Sequence, residues 1–212
     1  MKKYKIINNN AIRKQELVMF NKFTKKYDIT VVVKDYIYPD GLPNNESKYY
    51  LVVDDNKYTI LQDFNTPISS SWDFIYPAGL VDGKSNYYLA RNISIGKKKE
   101  AIFHKNYPGV PVTNWYDQIY INGVIKNNSC YYIAINQCKK AIFDLENKKE
   151  PISDWWPAVY SNGLVNGISD YYIAENDNKR AIFHKNNKKV VPFKDKLSNY
   201  YIRKYNLNLL VR

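Results

Sequence analysis

Tyr120-Ile121-Asn122-Gly123-Val124 returns, forty residues later, as Tyr160-Ser161-Asn162-Gly163-Leu164. Tyr131-Tyr132-Ile133-Ala134 returns as Tyr171-Tyr172-Ile173-Ala174, and Ala141-Ile142-Phe143 as Ala181-Ile182-Phe183, at the same offset. A fixed offset of this size marks a repeat architecture. Working outward, an earlier copy reads Tyr76-Pro77-Ala78-Gly79-Leu80, Tyr87-Tyr88-Leu89-Ala90 and Ala101-Ile102-Phe103. Before it stand Tyr38-Pro39-Asp40-Gly41-Leu42 and Tyr49-Tyr50-Leu51-Val52. A connector with its own signature separates the copies: Pro67-Ile68-Ser69, Pro111-Val112-Thr113, Pro151-Ile152-Ser153. This reading gives a single repeat domain over 1–212: a partial copy 1–37, units 38–75, 76–119, 120–159 and 160–197, and a terminal hairpin 198–212. Degraded ends are expected, because terminal repeats have a neighbour on one side only.

Each unit reads as strands. Tyr-Tyr-Ile-Ala and Ala-Ile-Phe-His are aromatic and β-branched, which suits a pleated, half-buried surface. The polar link between them, residues 175–180 in the last full copy, holds Asn and Asp that tolerate positive φ, a hairpin signal. The Gly-Leu-Val run before the hairpin and the Pro-Ile-Ser run after it predict further strands. Alternation puts Tyr172 and Ala174 on one face and Tyr171 and Ile173 on the other; Ala181 and Phe183 share a face, with Ile182 and His184 opposite. Both faces are apolar, so successive units must cover them. Glycines 41, 79, 123 and 163 predict positions where no Cβ fits. The expected fold is all-β: tandem hairpin repeats of about 40 residues closing into a small propeller of about five blades, with an open hairpin stack as the alternative.

The stretch Lys179-Arg180-Ala181-Ile182-Phe183-His184-Lys185 through Val190-Val191-Pro192 resembles the core of a bacterial WG (KWG) repeat. Tyr116-Asp117-Gln118-Ile119 followed by Gly123-Val124 is similar to that repeat's second part. The Trp-Gly pair of the family is replaced here by Ala-Ile, and a Tyr-Tyr strand is prominent instead. The resemblance covers roughly residues 28–195 and implies a hairpin array with a binding role.

Composition narrows the function classes. Nothing resembles a signal peptide, and the longest apolar runs fall far short of the ~20 residues that a membrane helix needs. A soluble cytoplasmic protein is the expectation, with no membrane partner. Cys130 and Cys138 have Asp170 and Asn178 at the matching positions of the next copy, so the fold does not need a thiol there. Two cysteines without nearby histidines make no zinc pattern, and neither metal nor cofactor is expected. No phosphate loop, nucleophile elbow or paired-carboxylate motif occurs. His104 and His184 share one repeat position, which argues for a structural slot over a catalytic one, and no enzyme is expected.

The net charge of +12 is uneven. Residues 1–37 carry +6, 38–75 carry −4, 76–119 carry +3, 120–159 carry +1 and 160–212 carry +6. A field of this kind attracts acidic partners. The predicted contact groups are Lys97, Lys98 and Lys99 in an expanded turn, Lys185, Lys188 and Lys189 in the last unit, and Trp156 as an aromatic anchor. The function expected is a non-catalytic binding protein presenting a basic β-repeat surface to an acidic protein or nucleoprotein assembly, of inhibitor or immunity type. The alternatives are a lectin-like glycan binder using connector aromatics, and a nucleic-acid binder.

Overall fold

A computed structural model describes residues 4–9, 14–39, 47–63, 65–93, 97–147 and 150–207. The protein is all-β, with about 9% helix. Seventeen strands and four short helices are seen among these residues. The strands form five sheets of consecutive antiparallel strands, in the orders β1-β2-β3, β4-β5-β6-β7 with β5 Tyr49–Asp54, β6 Lys57–Gln62 and β7 Thr66–Pro67, β8-β9-β10 with β9 Tyr87–Asn92 and β10 Lys99–His104, β11-β12-β13 and β14-β15-β16-β17. β1 spans Tyr4–Asn9, β2 Lys14–Asn21 and β3 Lys26–Lys34. In each later sheet a three-residue strand leads: β4 Tyr36–Tyr38, β8 Phe74–Tyr76, β11 Gln118–Tyr120 and β14 Ala158–Tyr160. The chain divides into two compact units. The first holds residues 1–98 and 102–111, the second 99–101 and 112–212. No helix among the described residues is long and apolar enough to cross a membrane.

The Tyr-Tyr run and the Ala-Ile-Phe run pair as the two central strands. β12 (Tyr131–Asn136) faces β13 (Lys139–Asp144), and β15 (Tyr171–Asn176) faces β16 (Lys179–His184), in identical register. The turns between them hold two residues at positive φ, Gln137 (49°) and Cys138 (63°), then Asp177 (48°) and Asn178 (61°). That is the tight hairpin geometry matched to strand twist. Alternation then decides the packing. Tyr172, Ala174, Ala181 and Phe183 enter one core with Ile142 of the preceding hairpin, while Ile173 and Ile182 enter another with Val191, Leu197 and Leu207. The fourth hairpin is therefore covered on both faces, as the doubly apolar pattern demands. In the last three hairpins the second Tyr of the doublet stacks on the Phe across from it: Tyr88 on Phe103, Tyr132 on Phe143 and Tyr172 on Phe183, with centroids 5.3–5.4 Å apart and planes within 14°; in the first, Tyr50 faces Leu61. Such pairs add roughly 0.5–1.5 kcal/mol beyond their burial.

Two expectations are corrected. The Gly-Leu-Val run is a single helical turn: α1 (Ala78–Val81), α2 (Asn122–Ile125) and α3 (Asn162–Val165). The extended residues lie just before it. The terminal hairpin is also absent from the described residues, because Asn199–Lys204 forms a helix, α4. The predicted strand at Leu209, Leu210 and Val211, and the turn at Gly41, lie outside the described residues.

At Gly123 and Gly163 the glycine expectation is met by close approach. A Cβ on Gly123 would overlap the Val165 carbonyl, and one on Gly163 would come within 2.9 Å of Ser169 and 3.2 Å of the Asn206 carbonyl. Beside these glycines a serine joins neighbouring modules. Ser129 Oγ donates to the Val165 carbonyl, and Ser169 Oγ donates to the Tyr205 carbonyl at 2.7 Å. The C-terminal end of α4 thus occupies, for the fourth hairpin, the place that α3 occupies for the third. It covers an apolar face of the fourth hairpin.

Candidate interaction surface

Among the six lysines singled out by the sequence, two already have partners. Lys99 Nζ lies 2.7 Å from Asp117, and Lys185 Nζ lies 3.0 Å from Asp170, which holds the Lys185 ammonium above its ordinary pKa. Lys97 and Lys98 are exposed, in a turn whose residues 94–96 lie outside those described. Lys188 and Lys189 are exposed at the start of β17 (Lys189–Lys194). Trp156 is half-buried, its ring tilted against Phe183 at 5.5 Å and Phe193 at 5.6 Å, and its backbone pairs with Lys140. Trp72 and Tyr116 pair in the same way with Tyr58 and Glu100. The connector aromatics therefore belong to the joints between strands.

The C-terminal module gathers a dense set of basic groups. Residues 179–204 hold nine Lys/Arg and one Asp/Glu, a balance of +8. Arg180 is bound to Glu175 at 2.6 Å and Lys185 to Asp170, so seven of the nine have no carboxylate partner among the described residues. Several lie over aromatic rings instead. Lys189 Nζ is 4.9 Å from the Phe193 centroid, Lys194 is 5.1 Å from Tyr201, and Lys204 is 5.4 Å from Tyr205. A cation over a ring gains only about 0.5–1 kcal/mol at an exposed site and keeps its charge available. α4 turns Tyr201, Ile202 and Tyr205 onto the fourth hairpin and leaves Arg203, Lys204 and Tyr200, 63% exposed, in solvent. Sequence reasoning missed these tyrosines because it read residues 198–212 as a terminal hairpin. The run Tyr200-Tyr201-Ile202-Arg203-Lys204 carried the signal, a basic and aromatic segment outside the repeat.

Several lysines earlier in the chain are answered by aspartates. Lys14 lies 3.4 Å from Asp35 and 3.1 Å from Asp54, and Lys34 lies 2.8 Å from Asp54. Lys57 binds Asp73. The bond from Lys34 pulls the Asp54 carboxyl below its usual pKa, and that from Lys57 does the same for Asp73. A cleft of about 580 Å³ beside Lys34, Asp54, Asp55 and Lys57 is lined by charges that largely cancel one another. Asp35, Asp73 and Asp117 share one repeat position and one further task. Each accepts a backbone N–H from the hairpin turn twenty residues on, at Asp55 (2.9 Å), Ile93 (2.6 Å) and Gln137 (2.7 Å). At the fourth such position the chain has Pro157.

The two histidines are cross-strand partners of the leading tyrosine in their modules. His184 lies edge-on to Tyr171 at 5.2 Å, and His104 to Tyr87 at 5.0 Å. Cys130 and Cys138 are free thiols, and burial with a bond to Asp144 pushes Cys130 up to about 11. Among the described residues no cluster of His, Cys, Asp and Glu is placed to hold a metal ion.

No family model matches the chain, and no curated protein does. Among solved structures the chain is similar to Kluyveromyces lactis Hsv2, a β-propeller protein, at 9% identity and a TM-score of 0.39, over 99% of this chain and 63% of that one. It is similar to TolB from Acinetobacter baumannii at 11% identity and 0.34, over 88% of this chain and 50% of that one. The chain thus spans less than two thirds of the length of either. Likeness of this size assigns no family and no function; the all-β assignment rests on the hairpins themselves.

Proposed function

We propose that the protein is a non-catalytic binding protein that offers the lysine and tyrosine face of its C-terminal module to an acidic protein. The observation that supports this reading is the set of seven basic side chains in residues 179–204 without a carboxylate partner among the described residues. Elsewhere Lys14, Lys34, Lys57 and Lys99 are answered by aspartates. Unanswered charge beside exposed aromatic rings speeds encounter and supplies anchoring contacts. The same reading takes the five meander sheets as blades of a small closed propeller of the WG kind, at work in the cytoplasm.

The test is a titration of the isotopically labelled protein with a polyglutamate peptide, followed by amide NMR. The reading predicts shifts concentrated in residues 185–204 and binding that weakens as salt rises, because these charges are exposed and screened. Absence of binding at low salt, or shifts centred on residues 14–57, would contradict it. Tighter binding to duplex DNA than to the peptide would transfer the surface to a nucleic-acid role.

A further inference from the structure

Between the third and fourth hairpins of the second unit lies a groove of about 390 Å³, within the range of small-ligand clefts. Tyr120 and Tyr160, equivalent by repeat, stand in its lining. Tyr120 is 43% exposed. Tyr160 is held in place: its hydroxyl donates to Glu175 at 3.2 Å, and the Arg180 guanidinium lies 5.0 Å over its ring. The ring therefore enters the groove already oriented. The side-chain amides of Asn122, Asn162 and Asn166 add donors and acceptors, Lys140 adds one cation, and no carboxylate lines the groove.

Ser161 is the second, independent observation. It lines the groove, is 2% exposed, and its Oγ is buried with no hydrogen-bond partner. The preceding copy has Ile121 in this place, 3% exposed, and the two earlier copies have Pro77 and Pro39. The slot is apolar in every other module. Ser161 does not cap α3 either, for its side chain makes no capping bond. A buried hydroxyl left without a partner destabilises the fold, and its retention at a cleft marks a group whose partner comes from outside.

From this geometry we infer that the groove is a saccharide site. A sugar ring presents an apolar C–H face that stacks on Tyr160 or Tyr120 and a rim of hydroxyls that suits the three amides and Ser161. Lys140 extends the preference to a sugar acid. The groove is built apart from the exposed lysines of the C-terminal module, and its ligand needs no net charge. Its failure or success is therefore separable from that of the acidic-partner reading.

The experiment titrates the labelled protein with glucose, galactose, N-acetylglucosamine and glucuronic acid at millimolar concentrations, reading the side-chain amides of Asn122, Asn162 and Asn166. At least one sugar is expected to saturate these signals, with affinity for glucuronic acid lowered by salt and affinity for the neutral sugars unaffected. Ser161→Ala is expected to weaken binding at least tenfold while its melting temperature stays at or above that of the parent. Tyr160→Ala is expected to abolish binding. The site is overturned if none of the four sugars moves the amides, if Ser161→Ala binds as the parent does, or if Ser161→Ala lowers the melting temperature, which would show that the hydroxyl has a partner within the fold.

Discussion

Three connectors carry an aspartate, at 35, 73 and 117, and the fourth carries Pro157 at the same place. Where the aspartate is present it binds a turn amide of the next hairpin and takes up a lysine: Lys14 at Asp35, Lys57 at Asp73 and Lys99 at Asp117. Where it is absent, Lys139, the counterpart of Lys57 and Lys99, is exposed and has no carboxylate partner among the described residues. The C-terminal module continues this trend, with one acid among nine bases over residues 179–204. The difference teaches that a charge count in a repeat protein is not a surface charge. The same lysine at the same repeat position is a structural clamp in one module and an exposed cation in another.

The two regions are built on the same kind of aromatic pair, and the largest expected effect tests that likeness. Burial raises the hydroxyl pKa of Tyr88, Tyr132 and Tyr172 well above the ordinary tyrosine range and that of Tyr50 to about 12. A group whose folded pKa is raised contributes stability that is full below its unfolded pKa, near 10, and lost as pH rises through the folded value. Unfolding is therefore expected between roughly pH 10 and 12, with tyrosinate absorbance and loss of β-sheet circular dichroism coinciding. Early ionisation of these rings without loss of structure would break the likeness between the modules.

Next in size is Asp73→Ala, which removes the Lys57 pair and the acceptor for the Ile93 amide. It is expected to cost about 1–2 kcal/mol in denaturant melts. At acid pH the parent should show the same loss. The depressed carboxyls of Asp73 and Asp54 contribute stability above their unfolded pKa of about 4 that disappears as pH falls through their folded values. The smallest effect separates the third hairpin from the fourth. Tyr172 donates its hydroxyl to Asn187 at 2.6 Å, whereas the Tyr132 hydroxyl is buried without a partner. Tyr172→Phe is expected to cost about 1 kcal/mol, and Tyr132→Phe to leave the melting temperature unchanged or raised.

The hairpins, their faces and the inter-module glycines were legible because period-2 alternation and a forty-residue offset reinforce each other over every copy. Two elements were not. Gly-Leu-Val is too short to show a helical period, and only the backbone bond from Val165 N–H to the Ser161 carbonyl reveals the turn. Residues 199–204 match the Tyr-Tyr-Ile strand of the repeat in composition, yet they cap the last hairpin from outside the array and gain more as a helix seating Tyr201, Ile202 and Tyr205. The candidate surface was half legible. Lys188 and Lys189 are open, while Lys99 and Lys185 are tied to acids 15 to 18 residues away in sequence, pairings that no local pattern displays. Ser161 was visible as a departure from Ile121, but its significance depends on burial, which only the fold supplies.

The most direct test compares two triple variants of equal charge change in their affinity for the polyglutamate peptide. One carries Lys188→Glu, Lys194→Glu and Lys196→Glu; the other carries Lys22→Glu and Lys25→Glu in the exposed turn between β2 and β3, and Lys26→Glu at the exposed start of β3. Reversing three contact charges at about 1 kcal/mol each is expected to weaken binding about 100-fold and flatten its salt dependence in the first variant, with melting temperature unchanged. The second should stay within about threefold of the parent. Equal losses in both would mean that net charge alone attracts the peptide, and a loss confined to the second would place recognition at the opposite end of the chain.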